Sequence, residues 1–197
     1  MMNIDPLEPN RFYHIYNRGN NDENIFIEEK NYSFFLQKMI KYLVPMADIY
    51  SYCLLKNHFH ILLKIKSKEH LPEKYKVNVH LPISNLFNSY TKSINKSYNR
   101  TGSLFQEHLK RNCVKDEHYI KELVLYIHLN PVKHNFTDNF KTYQNSSYRA
   151  YLSDKPSNLS REYILELFGG KENFEFCHHE KQLKYYGLLD EIDKMDF

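Results

Sequence analysis

Two histidines stand one residue apart in "CLLKNHFHILLKIK", residues 53–66, inside a run that is otherwise apolar and strand-like. Side chains alternate along a strand, so His58, His60, Leu62 and Lys64 share one face, and Phe59, Ile61, Leu63 and Ile65 share the other. The all-apolar face is the core side, which leaves the two rings on the opposite face with Cα atoms roughly 7 Å apart. Imidazoles at that separation can converge on one metal ion, about 2.1 Å from each nitrogen. A His-x-His pair by itself equally describes two half-buried rings bonded to backbone or water. Metal chemistry needs a third ligand and a reactive group.

Both are offered by "ELVLYIHLNPVKH". Tyr126 and Asn130 are four residues apart in a helical pattern and lie side by side on its surface. A search of the tyrosines for a neutral or acidic metal-capable residue at i+4 leaves few rivals. Tyr13 and Tyr16 precede Asn17 and Asn20, but in strand and turn, where that spacing brings nothing together. Tyr186 precedes Asp190 with Gly187 between them as a helix breaker, and Tyr119 is followed by Leu123. Only Tyr126 passes, against the ordinary alternative that a helical tyrosine simply packs.

The elements around these residues follow from periodicity and turn chemistry. "RFYHIYNRG" reads as a strand with Phe12, His14 and Tyr16 on one face, closed by the turn-rich "NRGNNDEN". Phe34, Phe35, Met39, Tyr42 and Leu43 recur at helical spacing until Pro45. "DIYSYCLL" is a second strand, joined to the His58 strand through a tight Lys56-Asn57 turn. Residues 67–82 read as a loop, "PISNLFNSYTKSINKSYNR" as a second helix, and "SLFQEHLKRNCV" as a fourth strand. A third helix from Asp116 to Asn130 carries Ile120, Leu123, Val124 and Ile127 as its apolar stripe and stops at Pro131. Leu125 and Leu129 point off that stripe, which calls for cover from the C-terminal segment or a second subunit. Beyond residue 140 the chain reads as a loop, a short helix and a further helix. The order β-α-β-β-α-β is the split βαβ, or ferredoxin-like, arrangement. The expected class is α+β: an antiparallel sheet with helices on one face, a further helix near the sheet, and a C-terminal extension. One sheet face is then left available for a site.

Composition narrows the classes. A chain of 197 residues with 42% hydrophobic and 26% charged content suits one globular domain. No apolar run approaches the roughly 18 residues needed to cross a bilayer, and the first residues read without a signal peptide. Three widely spaced cysteines, Cys53, Cys113 and Cys177, fit reduced thiols in a cytoplasm, not a disulfide framework. The formal charge of +3 is too small to argue for nucleic acid. Its distribution says more. Lys92, Lys96 and Arg100 recur at i, i+4 and i+8, and Lys110, Arg111 and Lys115 cluster after the fourth strand, although a basic helical stripe is usually only a solvated face.

"NHFHILL", then "YIHLNPVKH", with "YHIYNRGN" near the N-terminus, closely resembles the single-tyrosine HUH transposases of the insertion-sequence-200 superfamily. The "FQEHLKRN…YIHLNPVKH" block looks most like the REP-associated tyrosine transposases. The resemblance covers about residues 10–152, which sets an expected catalytic domain at 1–152 and a helical extension at 153–197. It implies that Tyr126 is the nucleophile and that His58, His60 and Asn130 hold a divalent metal, Mg²⁺ or Mn²⁺. Glu107 and His108 match a recurring pair of unassigned role, and His14 and Arg18 belong to the N-terminal block. Arg18, Lys92, Lys96, Arg100, Lys110, Arg111 and Lys133 are candidate DNA contacts.

What the resemblance implies is chemically coherent. A phenol with a pKa near 10 is a weak nucleophile at pH 7 unless the scissile phosphate is polarised. Attack by Tyr126 on single-stranded DNA gives a 5′-phosphotyrosine and a free 3′-hydroxyl that can rejoin strands without ATP. The implied partner is single-stranded DNA with a hairpin, with a homodimer as one assembly and no membrane. Rival readings are a domesticated DNA-binding descendant without transposition activity, an RNA-binding module on the same scaffold, and a small metal hydrolase. An RNA-binding module would carry exposed aromatics where His58 and His60 stand.

Overall fold

The structure, a computed structural model, describes residues 5–107 and 109–192, with side chains described to residue 184. Four strands form the sheet: β1 (Phe12–Arg18), β2 (Ala47–Leu55), β3 (His58–Ile65) and β4 (Lys110–Val114). They pair antiparallel in the order β2-β3-β1-β4. This is the expected ferredoxin-like sheet, interleaved with helices α1 (Glu29–Tyr42) and α3 (Leu81–Ser97). A four-residue helix, α2 (Glu73–Lys76), interrupts the segment expected to be all loop and buries Tyr75.

Local chemistry sets the element ends. The first turn of α1 is closed by a reciprocal cap, in which the Glu28 amide donates to Asn31 Oδ1 at 2.9 Å. The β2–β3 turn is held from outside. Its Lys56 carbonyl accepts from the Ile25 and Phe26 amides at 2.8 and 2.9 Å, and its Asn57 carbonyl accepts from the Gly19 amide at 2.7 Å. Gly19 is there because of space: a Cβ would lie 1.9 Å from the Glu23 carbonyl oxygen. The exit of β1 thus clamps the turn that launches His58.

Alternation sorts the residues as the sequence pattern requires. Tyr13, Ile15, Phe59, Ile61, Leu63 and Ile65 enter a core with Phe35 and Met39 of α1 and Leu86 and Tyr90 of α3. Leu62 faces a second core on the other side of the sheet. That second face is not left open. It carries α4 (Glu117–Lys133), followed by α5 (Tyr148–Leu152), α6 (Arg161–Phe168) and α7 (Lys171–Ile192). Leu125 and Leu129 of α4 are 6% and 1% exposed, and the same core holds Phe140, Tyr148, Tyr151, Ile164, Phe168 and Phe174. The C-terminal segment of the same chain therefore covers the two leucines that the sequence left without a partner.

Four details depart from the sequence reading. β4 begins at Lys110, not Ser103; the preceding residues meet the end of β1 through a Gly19–Phe105 bridge and through the Gln106 amide, which donates to the Arg18 carbonyl at 2.9 Å, while Leu104 and Phe105 turn into the first core. A bulge between Ile49 and Ser51 places both Tyr50 and Ser51 toward α4, breaking simple alternation in β2. α4 does not stop at Asn130 but runs through Pro131 to Lys133. Only the bond that a Pro131 amide would make is lost. The His134 amide still donates to the Asn130 carbonyl at 3.1 Å, and the Phe136 amide to the Pro131 carbonyl at 2.8 Å. Likewise α7 is continuous through Gly187, so no break separates Tyr186 from Asp190, whose side chains lie outside the described ones. α6 ends where Gly169 takes a left-handed φ of 79°, letting the Gly170 amide reach the Leu165 carbonyl at 2.8 Å.

Candidate active site

Antiparallel register assembles one half of the site. Tyr16 is paired with His60 of β3 and with Lys110 of β4; His14 is paired with Leu62 and Asn112, and Arg18 with His58. Directly opposite residues have Cβ atoms about 5 Å apart, so these side chains form three rows across a single sheet face. His14, His58 and His60 are 6%, 8% and 6% exposed, shut in between the sheet and α4. His14 stacks on Tyr16 with centroids 4.7 Å apart, and its Nε2 lies 2.9 Å from His60 Nδ1.

α4 supplies the other half. Its N-terminus is fixed by Asp116, whose side chain accepts from the Tyr119 amide at 2.8 Å. Its apolar stripe seats it on the sheet, and Tyr126, Asn130 and His134 then follow at i, i+4 and i+8 along one edge. The Tyr126 ring stands edge-on to His60 with centroids 5.3 Å apart, and 6.2 Å from His14. Asn130 is fully buried, with Oδ1 2.9 Å from His58 Nε2. His134 packs edge-on to His58 at 4.8 Å, and Lys133 Nζ lies 5.2 Å from the Tyr126 ring centre. Phenol, amide and imidazoles meet within one chain.

Proton bookkeeping shows what this arrangement asks for. Burial pushes His58 down to about 4, with His134 and Arg18 adding to the shift against an opposing contribution from Asn130. Burial pushes His14 down to about 4 and His60 well below its ordinary value, the latter helped by His14, His58, His134 and Lys133. All three rings are therefore neutral at pH 7, and each carries one N–H. His58 Nδ1 lies 2.7 Å from Asn57 Oδ1 and donates to it, so Nε2 holds a lone pair. That lone pair faces Asn130 Oδ1, another acceptor, while the buried Asn130 Nδ2 has no hydrogen-bond partner.

Two acceptors at 2.9 Å require something positive between them. A half-turn of the amide meets the need by aiming Nδ2 at Nε2; a bound cation meets it with the amide as it stands. Ligands at right angles on an ion with bonds of about 2.1 Å are about 3.0 Å apart, so the spacing fits. His60 fits as well. In the tautomer that donates Nδ1–H to His14, its Nε2 is left with a lone pair, the partnered state usual for a metal-binding imidazole. Among the described residues no three His, Cys, Asp or Glu side chains cluster as a metal centre. The side chains here that could hold a cation are two imidazoles and one amide, a set that leaves room for oxygen ligands from outside the protein.

Two cavities flank Tyr16, His60 and Tyr126. One, about 230 Å³, is lined by Arg18, His58, Gln106, Lys110 and His134. The other, about 420 Å³, is lined by His14, Asn112, Tyr119, Glu122 and Lys181. Of the expected DNA contacts, Arg18, Lys110 and Lys133 stand at the site, with Arg18 Nη1 3.6 Å from Asp22. The rest stand elsewhere. Lys92, Lys96 and Arg100 follow α3, which packs on the opposite sheet face, and Arg100 is bonded to Glu23 and Asn95. Arg111 alternates away from Lys110 and donates from Nε to the Asp5 carbonyl at 2.5 Å. Glu107 is exposed, and His108 lies outside the described residues.

Sequence reasoning missed Asn57, Tyr16, His134 and Lys181. His134 was within reach, four residues beyond Asn130, but ending the helix at Pro131 hid the repeat. Tyr16 shared a face with His14 in the strand pattern, and only pairing with His60 marks it out. Lys181 carried no signal, because only packing of α7 on α4 brings it near.

No family model matches the chain. No curated protein matches it by sequence. Among solved structures, a REP-associated tyrosine transposase bound to a REP hairpin superposes with a TM-score of 0.61 at 16% identity, over 79% of this chain and 89% of that one. The chain has the fold of a REP-associated tyrosine transposase. At such low identity the likeness establishes the transposase fold, and the chemistry has to be argued from the residues just described. In this transposase fold the sheet presents the histidine pair, and the helix after β4 presents the tyrosine. No described helix is long and apolar enough to cross a membrane.

Proposed function

We propose that this protein cleaves and rejoins single-stranded DNA carrying a hairpin, with Tyr126 as nucleophile. The observation that carries the reading is the meeting, in one chain, of the Tyr126 ring with His60 at 5.3 Å and of Asn130 with His58 at 2.9 Å. The solved neighbour is itself a transposase bound to a hairpin, which supports the choice of substrate.

In this reading His58, His60 and Asn130 hold a divalent cation, Mg²⁺ or Mn²⁺. When bound, the cation supplies stabilisation of negative charge on the phosphate oxygens. The protein's own residues do the rest. Arg18, Lys110 and Lys133 bring positive charge to a phosphate beside Tyr126. Asn57 and His14 fix the ring orientation of His58 and His60. The Tyr126 oxygen forms a bond to phosphorus as the P–O3′ bond breaks; the phenolic proton departs, and the released 3′ oxygen takes one up. Attack by a 3′-hydroxyl on the phosphotyrosine reverses these changes and regenerates the phenol. The burial of His14, His58 and His60 keeps their rings neutral and fixed against the sheet, while the cavities beside Tyr126 leave the phosphate a way in. The site is complete within a single chain, so a homodimer is not needed to build it.

The test is a covalent adduct. Wild-type protein with Mn²⁺ and single-stranded hairpin DNA is expected to give a protein–DNA species that survives denaturation, and Tyr126→Phe is expected to give none. An undiminished adduct in Tyr126→Phe would reject the nucleophile. Cleavage without any adduct would indicate a metal hydrolase, and binding without cleavage a DNA-binding descendant.

A further inference from the structure

We infer that the larger cavity beside Tyr126 receives one unpaired nucleobase adjoining the scissile phosphate, and that α7 takes part in reading it through Lys181. This deepens the proposed function and rests on it.

The two cavities share a wall of Tyr16, His60 and Tyr126 but differ in chemistry. The smaller has Arg18, Lys110 and His134 among its lining, as suits a phosphate and its backbone. In the larger, the cation Lys181 lies 2.7 Å from the carboxylate of Glu122, so the pair carries no net charge. A phosphate entering there would meet that carboxylate. A neutral, planar group with donors and acceptors along its edge would not. Tyr119, 44% exposed, provides a ring for stacking, and Asn112, Glu122 and Lys181 provide an amide, an acceptor and a donor. The volume of about 420 Å³ is that of a small-molecule site, whereas the other cavity falls below that range. A strand whose phosphate sits at Tyr126 with its backbone along Arg18 and Lys110 places its next base on the far side of the shared wall. Glu122 and Tyr119 come from α4 and Lys181 from the C-terminal extension, so the extension reaches the substrate and does not only cover α4.

The experiment uses hairpin oligonucleotides with randomised single-stranded flanks, incubated with Mn²⁺ and the full chain, and the adducted strands are sequenced. Wild type should show a base preference at one nucleotide adjoining the cut. Glu122→Gln, and separately Lys181→Met, should flatten that position by about 5- to 150-fold, the discrimination expected from one hydrogen-bonded base edge, and leave the other positions alone. A preference unchanged in both variants, or a uniform loss at every position, overturns the inference. The uniform loss is what a purely structural tie between α7 and α4 would give. If wild type forms no adduct, the proposed chemistry fails but the pocket is still decided: the pool bound by Tyr126→Phe is sequenced with and without Glu122→Gln. Position-specific enrichment that the second substitution erases supports the pocket, and a bound pool without enrichment overturns it.

Discussion

At the scale of single residues, the site is governed by which atom carries a proton. His58 suits the proposed ligand role because Asn57 fixes its tautomer, holding Nδ1–H at 2.7 Å and leaving Nε2 with a lone pair. Asn57→Ala is therefore expected to weaken Mn²⁺ binding about 10- to 100-fold without removing any proposed ligand, measured by calorimetric titration. An unchanged affinity would show that the Asn57 bond does not set the ring. Asn130→Ala should abolish tight binding outright, since it deletes the oxygen that faces Nε2. The histidine pair and its face were legible in the sequence, because alternation on a strand is a property of the backbone. His134 was not, because Pro131 looked like a stop. Near a helix end proline forfeits one bond and little else, and α4 continues past it.

Among the elements, α4 does two jobs with opposite faces. One edge presents Tyr126, Asn130 and His134 to the histidines, while Leu125 and Leu129 are buried against the C-terminal segment. The anchor there is Phe174, fully buried and stacked on Tyr151 with centroids 4.8 Å apart. Phe174→Ala should cost about 3–5 kcal/mol in urea unfolding, a cavity-forming loss in the core that α7 shares with α4. A loss below about 1 kcal/mol would mean that the extension is not part of the folding core. The succession of strands and helices along the chain was readable from hydrophobic period and turn chemistry. The bulge at Tyr50 and the late start of β4 were not, since both depend on what the strand packs against.

Across the whole molecule two quantities follow. The buried chain Ser147–His128–His178 ties β2, α4 and α7 together, with contacts of 2.8 Å on either side of His128. Burial pushes His178 down to about 3, and Lys141 adds to the shift against a bond to the Phe174 carbonyl. The unfolded chain binds a proton near pH 6.5 that the folded chain refuses. The resulting stability is complete above about pH 6.5 and is lost as the pH falls toward 3, by up to about 1.4 kcal/mol per pH unit for this group. Thermal midpoints measured across that window should fall in wild type and fall less steeply in His178→Gln. DNA affinity should also depend on salt, and the fold predicts which charges matter. Replacing Arg18 or Lys110 by Gln should each reduce the slope of log K against log salt by about 0.7, while Lys92→Gln and Lys96→Gln leave it unchanged. The reverse pattern would put the DNA on the α3 face.

The sequence by itself determined the faces and the candidate set: which side of β3 the imidazoles occupy, and which tyrosine has a metal-capable side chain one turn further on. Those follow from the 2-residue and 3.6-residue periods of the backbone, which are local. Tertiary structure decided the rest. Only strand register puts Tyr16 beside His60 and selects Lys110 over Arg111 for the site face, and only packing against the second core brings α4 over the sheet and Lys181 to the cavity. Those choices depend on contacts between segments far apart along the chain, where no local period can report them.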